Sequence, residues 1–388
     1  MATQHLATQH LATQHLAAQH MAGQHLAGQE WAGRQWMDRS GGGDPLESAW
    51  RGLVGAVGAQ GGPGEVLGDI RAVPPAALLP ELVSVLQACD NGDPQAVELS
   101  VLIAETLTGL GKRATAQRWW WAAQSAADSI HGADSACGRG GLVGVGLAGL
   151  VRARAVISGL VERQALAGLL RLAGEAVALD RRASGAAGFL PRAARALVLA
   201  EVGESEEARQ ALRELVGAGD ELLVSGASEQ RAAAHHHMPD QLYRGEGLVG
   251  QLSCQPQWTE GLVRGLPYQL HWVEGLVSAR LGYGVAGCVL VARARELCPE
   301  RWCGERARVE LGLAECLVVS GEVSAGLALA LRVLVELPDE WHSLWVSEAG
   351  LRVLQVVEKT EPARRELTEL RRLLAQPTYR TGRTVRRG

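Results

Sequence analysis

From about residue 75 onward, apolar residues recur at three- and four-residue spacings almost without interruption. In EEARQALRELV (206–216) and RARVELGLAECLVVS (306–320) this spacing gathers Ala, Leu and Val on one stripe of a helix and leaves Glu and Arg on the other side. Strand signals are missing. Strict alternation is rare, aromatic residues make up 4% of the chain, and Ala, Leu, Glu and Arg dominate the periodic segments. The pattern predicts an all-α fold. Its helices are short and paired, and a glycine or a polar Gly-x turn separates the partners, which implies antiparallel helical hairpins.

An internal repeat sharpens that expectation. Four turns carry a glycine followed five residues later by a small residue: Gly111 and Ala116, Gly203 and Ala208, Gly282 and Gly287, Gly321 and Gly326. Twelve residues before each second small residue stands another, namely Ala104, Ala196, Gly275 and Ala314. Small side chains at both sites let the two helices of a hairpin approach closely, and the turn glycine permits the reversal. In the last two units Pro299 and Pro338 follow twelve residues after the second small site and stop the second helix.

This spacing resembles the tetratricopeptide repeat (TPR), whose hairpins stack into a right-handed α-solenoid. The resemblance is best over 271–299 and 310–338 and extends to 100–128 and 192–220. Ser100, Arg192, His271 and Glu310 stand where that repeat usually has a large aromatic early in its first helix. A broader resemblance covers residues 75 to 376. The stretches TLTGLGKRATAQRWWWAAQSAAD, VRARAVISGLVERQALAGLLRLAGEAVAL and ERARVELGLAECLVVSGEVSAGLALALRVLVELPDEWHSLWV are similar to the C-terminal repeat region of high-GC bacterial regulators. Those regulators carry a Cro-repressor-type helix-turn-helix domain (XRE family) before their TPR-like helices.

Where that DNA reader would stand, this chain has a low-complexity arm. ATQHLATQHLATQHL repeats a pentad, and the pattern continues loosely to about residue 40. On a helix a five-residue step rotates by about 140°, so His5, His10, His15, His20 and His25 share no face and present no i, i+4 metal pair. The arm supplies neither three amphipathic helices nor a basic recognition helix. The expected organisation is therefore an arm over 1–40, a Gly/Pro-rich linker over 41–74 that opens on GGGDP, a TPR-like helical domain over 75–376, and a basic tail over 377–388. The resemblance implies the sensor or scaffold half of such a regulator.

Composition excludes several classes. A formal net charge of −4 over 388 residues argues against a basic nucleic-acid binder, although the last residues, TYRTGRTVRRG, hold four arginines and no acid. No charged leader with an apolar segment opens the chain, and the longest apolar run, GLVGVGLAGLV, is too short to span a bilayer, so a cytoplasmic location without membrane contact is expected. Seven cysteines without a Cys-x-x-Cys pair fit reduced thiols, and Cys298 and Cys303, separated by four residues that include a proline, have a poor zinc spacing.

Several local features invite a sharper reading. Gly144 to Gly149 fits G-x-G-x-x-G, but no strand precedes it, and a glycine-rich helix with close packing accounts for it better. His235, His236 and His237 point apart on either secondary structure. Trp119, Trp120 and Trp121 span about 200° of a helix, so they cannot share one core stripe. The repeat places Trp120 in the core and leaves Trp119 and Trp121 as candidate groove residues, with His271 and Trp272 facing the same choice. Arg118, Arg152 and Arg154 are candidates to meet a carboxylate or phosphate on the concave face. No catalytic constellation, phosphate loop, metal site or cofactor motif emerges. The expectation is a non-catalytic scaffold or sensor for a peptide or protein partner, with self-association into a homo-oligomer open. Direct DNA contact through Leu46 to Gly58 and the basic tail, or a degenerate remnant of a regulator, are the alternatives.

Overall fold

The structure is a computed structural model that describes residues 70–87, 94–136, 142–180, 189–217 and 257–375. The pentad arm, most of the linker including Leu46 to Gly58, His235 to His237 and the basic tail lie outside the described residues. All described residues belong to one compact unit, residues 57–388, and among them there is helix but no strand.

The helices are α1 (Pro75–Gln87), α2 (Pro94–Gly109), α3 (Arg113–Ala136), α4 (Leu142–Val161), α5 (Leu166–Asp180) and α6 (Phe189–Val202). A seventh, α7, covers 205–217. They continue as α8 (Gln257–Arg280), α9 (Gly284–Leu297), α10 (Cys303–Val319), α11 (Val323–Glu336), α12 (Leu344–Thr360) and α13 (Glu366–Leu374). Short 3-10 helices lie at Ile70–Ala72 and Asp339–Trp341.

Consecutive helices pack as hairpins: α2 with α3, α4 with α5, α8 with α9 and α10 with α11. The four repeat glycines, Gly111, Gly203, Gly282 and Gly321, all turn the chain with positive φ, between 68° and 96°. Only glycine adopts that conformation without a Cβ penalty. At Gly111 the backbone closes as a Schellman cap: its N–H donates to Thr108 O and the next N–H, of Lys112, donates to Leu107 O. The same pair of bonds recurs at Gly282, at Gly321 and, unexpectedly, at Arg163 between α4 and α5. Arg163 holds φ at 56°, in the region an arginine ordinarily avoids. Its side chain reaches Glu348 at 3.0 Å on α12.

The strain at Arg163 can be isolated by two substitutions that both delete this ion pair. Arg163→Gly relieves the left-handed backbone and Arg163→Ala does not, so the glycine variant should be the more stable of the two by about 1 kcal/mol in urea unfolding. Equal midpoints would show that the turn stores no strain.

All eight small repeat positions, Ala104, Ala116, Ala196, Ala208, Gly275, Gly287, Ala314 and Gly326, are buried. The backbones of α8 and α9 are close enough that a Cβ added to Gly287 would lie 2.9 Å from Gly275 O. Pro299 and Pro338 each follow a helix cap, Cys298 and Leu337, held in extended conformation, as a residue before proline must be. Where the resemblance expected an aromatic early in the first helix, polar residues tie that helix to the preceding one: Arg192 pairs with Asp180 at 2.8 Å and Glu310 with Arg295 at 2.7 Å.

The first helices of the hairpins form a row in which α2, α4, α6, α8, α10 and α12 each touch the next, and α12 touches α2 and α4 again. Trp345 at the start of α12 makes that return contact. Its Nε1 donates to Glu105 O at 3.3 Å, and its ring covers Gly109, where an added Cβ would meet Cδ1 at 3.0 Å. The end of the predicted linker is fixed as well: the Arg71 guanidinium lies over the rings of Trp302, at 4.8 Å, and Tyr268, at 5.9 Å.

Candidate functional site

A cavity of about 570 Å³, solvent at its mouth included, lies among the first helices. Each wall is one face of a helix. Ile157, Leu160 and Val161 of α4 recur at i, i+3, i+4, and Trp272, Leu276 and Arg280 of α8 recur at i, i+4, i+8. Arg308, Gly312 and Glu315 of α10 and Trp345, Glu348, Ala349 and Arg352 of α12 complete it, with Leu197 of α6. The floor is aliphatic, and the charged residues are carried on the three C-terminal first helices.

Arg308 is clamped between two indoles, with its guanidinium carbon 4.8 Å from the ring centres of both Trp272 and Trp345. Glu305, one turn earlier, accepts from its Nη1 at 2.9 and 3.1 Å. Burial pushes the Glu305 carboxyl up, but Arg308, Arg71 and a hydrogen bond from Tyr268 outweigh it and hold the group below the usual carboxylate range. Glu201 behaves alike: burial raises it, while Arg352, donating at 2.6 Å, and Arg280 together hold it ionised. Arg280 is the exception. Its carboxylate neighbours Glu201 and Glu315 form ion pairs with it at 3.6 and 3.7 Å, outside hydrogen-bond reach, and its buried Nε has no hydrogen-bond partner. Burial accordingly lowers the affinity of this guanidinium for its proton, only partly offset by Glu315. The Trp272 indole N–H is likewise buried without a hydrogen-bond acceptor.

Among the residues singled out from sequence, Trp272 lines the cavity and the rest do not. His271 is half-buried on the same helix, 3.9 Å from Glu274, and burial together with Arg293 lowers its pKa. Trp119 corrects the expectation of a groove aromatic: it is 0% exposed, with Trp120 at 6% and Trp121 half-buried. The reason is that α3 packs against both α2 and α4, so its buried arc is wide enough for two adjacent indoles. Arg118 is exposed. Arg152 grips Asp128 with two bonds of 2.9 Å, and Arg154 grips Glu105 at 2.8 and 2.6 Å, so both forks are already filled. Burial still raises the Glu105 carboxyl above its ordinary value despite Arg154.

The Gly144 to Gly149 motif lies within α4 rather than at a strand-to-helix turn. Gly149 packs α4 on α5, where an added Cβ would sit 3.2 Å from Ala176 O. Cys298 and Cys316 are buried free thiols, and burial pushes Cys298 up to about 12. Among the described residues no group of three His, Cys, Asp or Glu could hold a metal, and no helix is long and apolar enough to cross a membrane. Arg280, Arg308, Trp345 and Arg352 escaped sequence reasoning. The one signal that pointed toward them is helical spacing from Trp272, which reaches Leu276 and Arg280 on the same face. Compared with protein-family models, with curated proteins and with solved structures, the chain matches none.

Proposed function

We propose that the chain is a TPR-like α-solenoid acting as a non-catalytic scaffold or sensor, which binds a peptide or protein partner on the concave surface made by its first helices, in transcriptional regulation. The observation that carries this reading is the cavity itself. One face from each of α4, α6, α8, α10 and α12 converges on it, and it joins aliphatic floor, indole walls and arginines in one surface. Proteins built of stacked helical pairs use such inner surfaces for recognition, because the small rotation from each pair to the next curves the stack and makes an extended concave face.

The test is selection of a random peptide library on the immobilised full chain, followed by titration of enriched peptides against the wild type and Ala349→Trp. Ala349 lines the cavity from α12, and an indole there fills it. Enriched peptides should bind the wild type and lose most of their affinity for the variant. Failure to enrich any sequence, or equal binding to both proteins, would overturn the reading.

A further inference from the structure

We propose that the cavity between α4, α8, α10 and α12 binds a small apolar organic anion, an aliphatic monocarboxylate whose chain lies on the leucine floor and whose head meets Arg280. The proposal rests on the cavity being the ligand face, and it requires no macromolecular partner. Three observations meet at this place.

The first is a buried arginine whose Nε has no hydrogen-bond acceptor. The side chain of Arg280 is 13% exposed, and the two carboxylates near it stand at 3.6 and 3.7 Å. A guanidinium offers five N–H donors, and burying one that makes no hydrogen bond is costly unless an acceptor arrives. Of its two neighbours, Glu201 is already held by Arg352 at 2.6 Å, and Glu315 reaches Nε only as an ion pair at 3.7 Å.

The second observation is the sign of the lining. Arg308 and Arg352 have their carboxylates, Glu305 and Glu201, within hydrogen-bond distance, and the buried polar atoms of the lining that lack a hydrogen-bond partner, Arg280 Nε and Trp272 Nε1, are both nitrogen donors. A ligand that brings acceptor oxygens matches that set, and a cationic one meets only carboxylates already engaged or opposed by arginine.

The third is shape. The cavity is open at its mouth and is lined on one side by aliphatic and on the other by charged and indole side chains. The far wall, Ile157, Leu160, Val161 and Leu276, has no polar side-chain atom, so the part of the ligand away from its head must be hydrocarbon. An amphiphile with one charged end is the occupant these walls describe.

The experiment is isothermal titration of the full chain with decanoate, decanol and decylammonium, which share a chain and differ in head-group charge. Decanoate should bind at least about tenfold more tightly than either of the others, the size expected when a charged hydrogen bond is lost. Arg280→Met should bring decanoate to the level of decanol. Ala349→Trp, which keeps every charge and closes the space, should abolish binding of all three while leaving the helical circular dichroism intact, and it decides the matter should Arg280→Met fold poorly. Decanol binding as well as decanoate, tighter binding of decylammonium, no heat with any ligand, or undiminished decanoate binding by Ala349→Trp would each overturn the proposal. Enriched peptides without decanoate binding would leave the partner-binding reading standing and sink this one, and decanoate binding without peptides would do the reverse.

Discussion

Gly287→Leu and Gly326→Leu should each lower the melting temperature on the order of 10 °C, because both place a side chain where two helix backbones already touch. A Cβ at Gly287 would lie 2.9 Å from Gly275 O and 3.1 Å from Cys316 Sγ, and one at Gly326 would lie 2.6 Å from Val318 Cγ2 and 2.8 Å from Ala314 O. Carbonyl oxygens belong to the backbone and cannot rotate away, so α8 must separate from α9, and α10 from α11. Overpacking costs about 1–3 kcal/mol where side chains can yield, and these sites should reach or exceed the upper end. Gly174 on α5 is the control, since it is exposed and nothing lies within 4 Å of an added Cβ. Gly174→Leu should be tolerated, and Gly174→Ala should stabilise by about 0.5–1 kcal/mol through helix propensity. Thermal unfolding followed by circular dichroism separates the cases. Equal tolerance at all three glycines would mean that small residues are not what brings these hairpins together.

The turn glycines were legible from sequence because their cause is local. A left-handed residue between two helices is met at low cost only by glycine, so Gly111, Gly203, Gly282 and Gly321 mark their turns directly. The α4–α5 hairpin escaped that frame for the complementary reason: Arg163 holds the same left-handed position, sustained by a contact to Glu348 that is 185 residues away in sequence. Charge was misread by the same blindness to distance. Arg152 and Arg154 look free in the sequence, yet their partners Asp128 and Glu105 lie 24 and 49 residues back on α3 and α2. The candidate site is less legible still. Periodicity tells which residues share a helix face, but several faces of these helices are apolar, and which one turns toward the cavity is decided by the return of α12 to α2 and α4. That return depends on Trp345 finding Glu105 O and the bare backbone at Gly109, a match between positions about 240 residues apart that no local pattern announces.

Trp119 offers the sharpest contrast between a binding role and a packing role, and Trp119→Ala should cost stability rather than partner affinity. Its side chain is fully buried where α3 meets α2 and α4, so truncation removes a whole indole from the core and leaves a cavity that rigid helices fill poorly. Such truncations cost about 3–5 kcal/mol. The melting temperature should fall on the order of 10 °C, while any peptide or decanoate affinity of the folded fraction stays unchanged. Trp121→Ala, on the half-buried side of the same turn, should cost clearly less. Trp119→Phe separates volume from hydrogen bonding. The indole N–H of Trp119 is buried with no acceptor, so replacing it removes an unsatisfied donor worth about 1–3 kcal/mol and offsets much of the lost volume. The phenylalanine variant should therefore melt close to the wild type. A phenylalanine variant as unstable as the alanine one would mean that the N–H has a partner after all. A Trp119→Ala protein that melts normally but no longer binds would return this residue to the groove that its sequence first suggested.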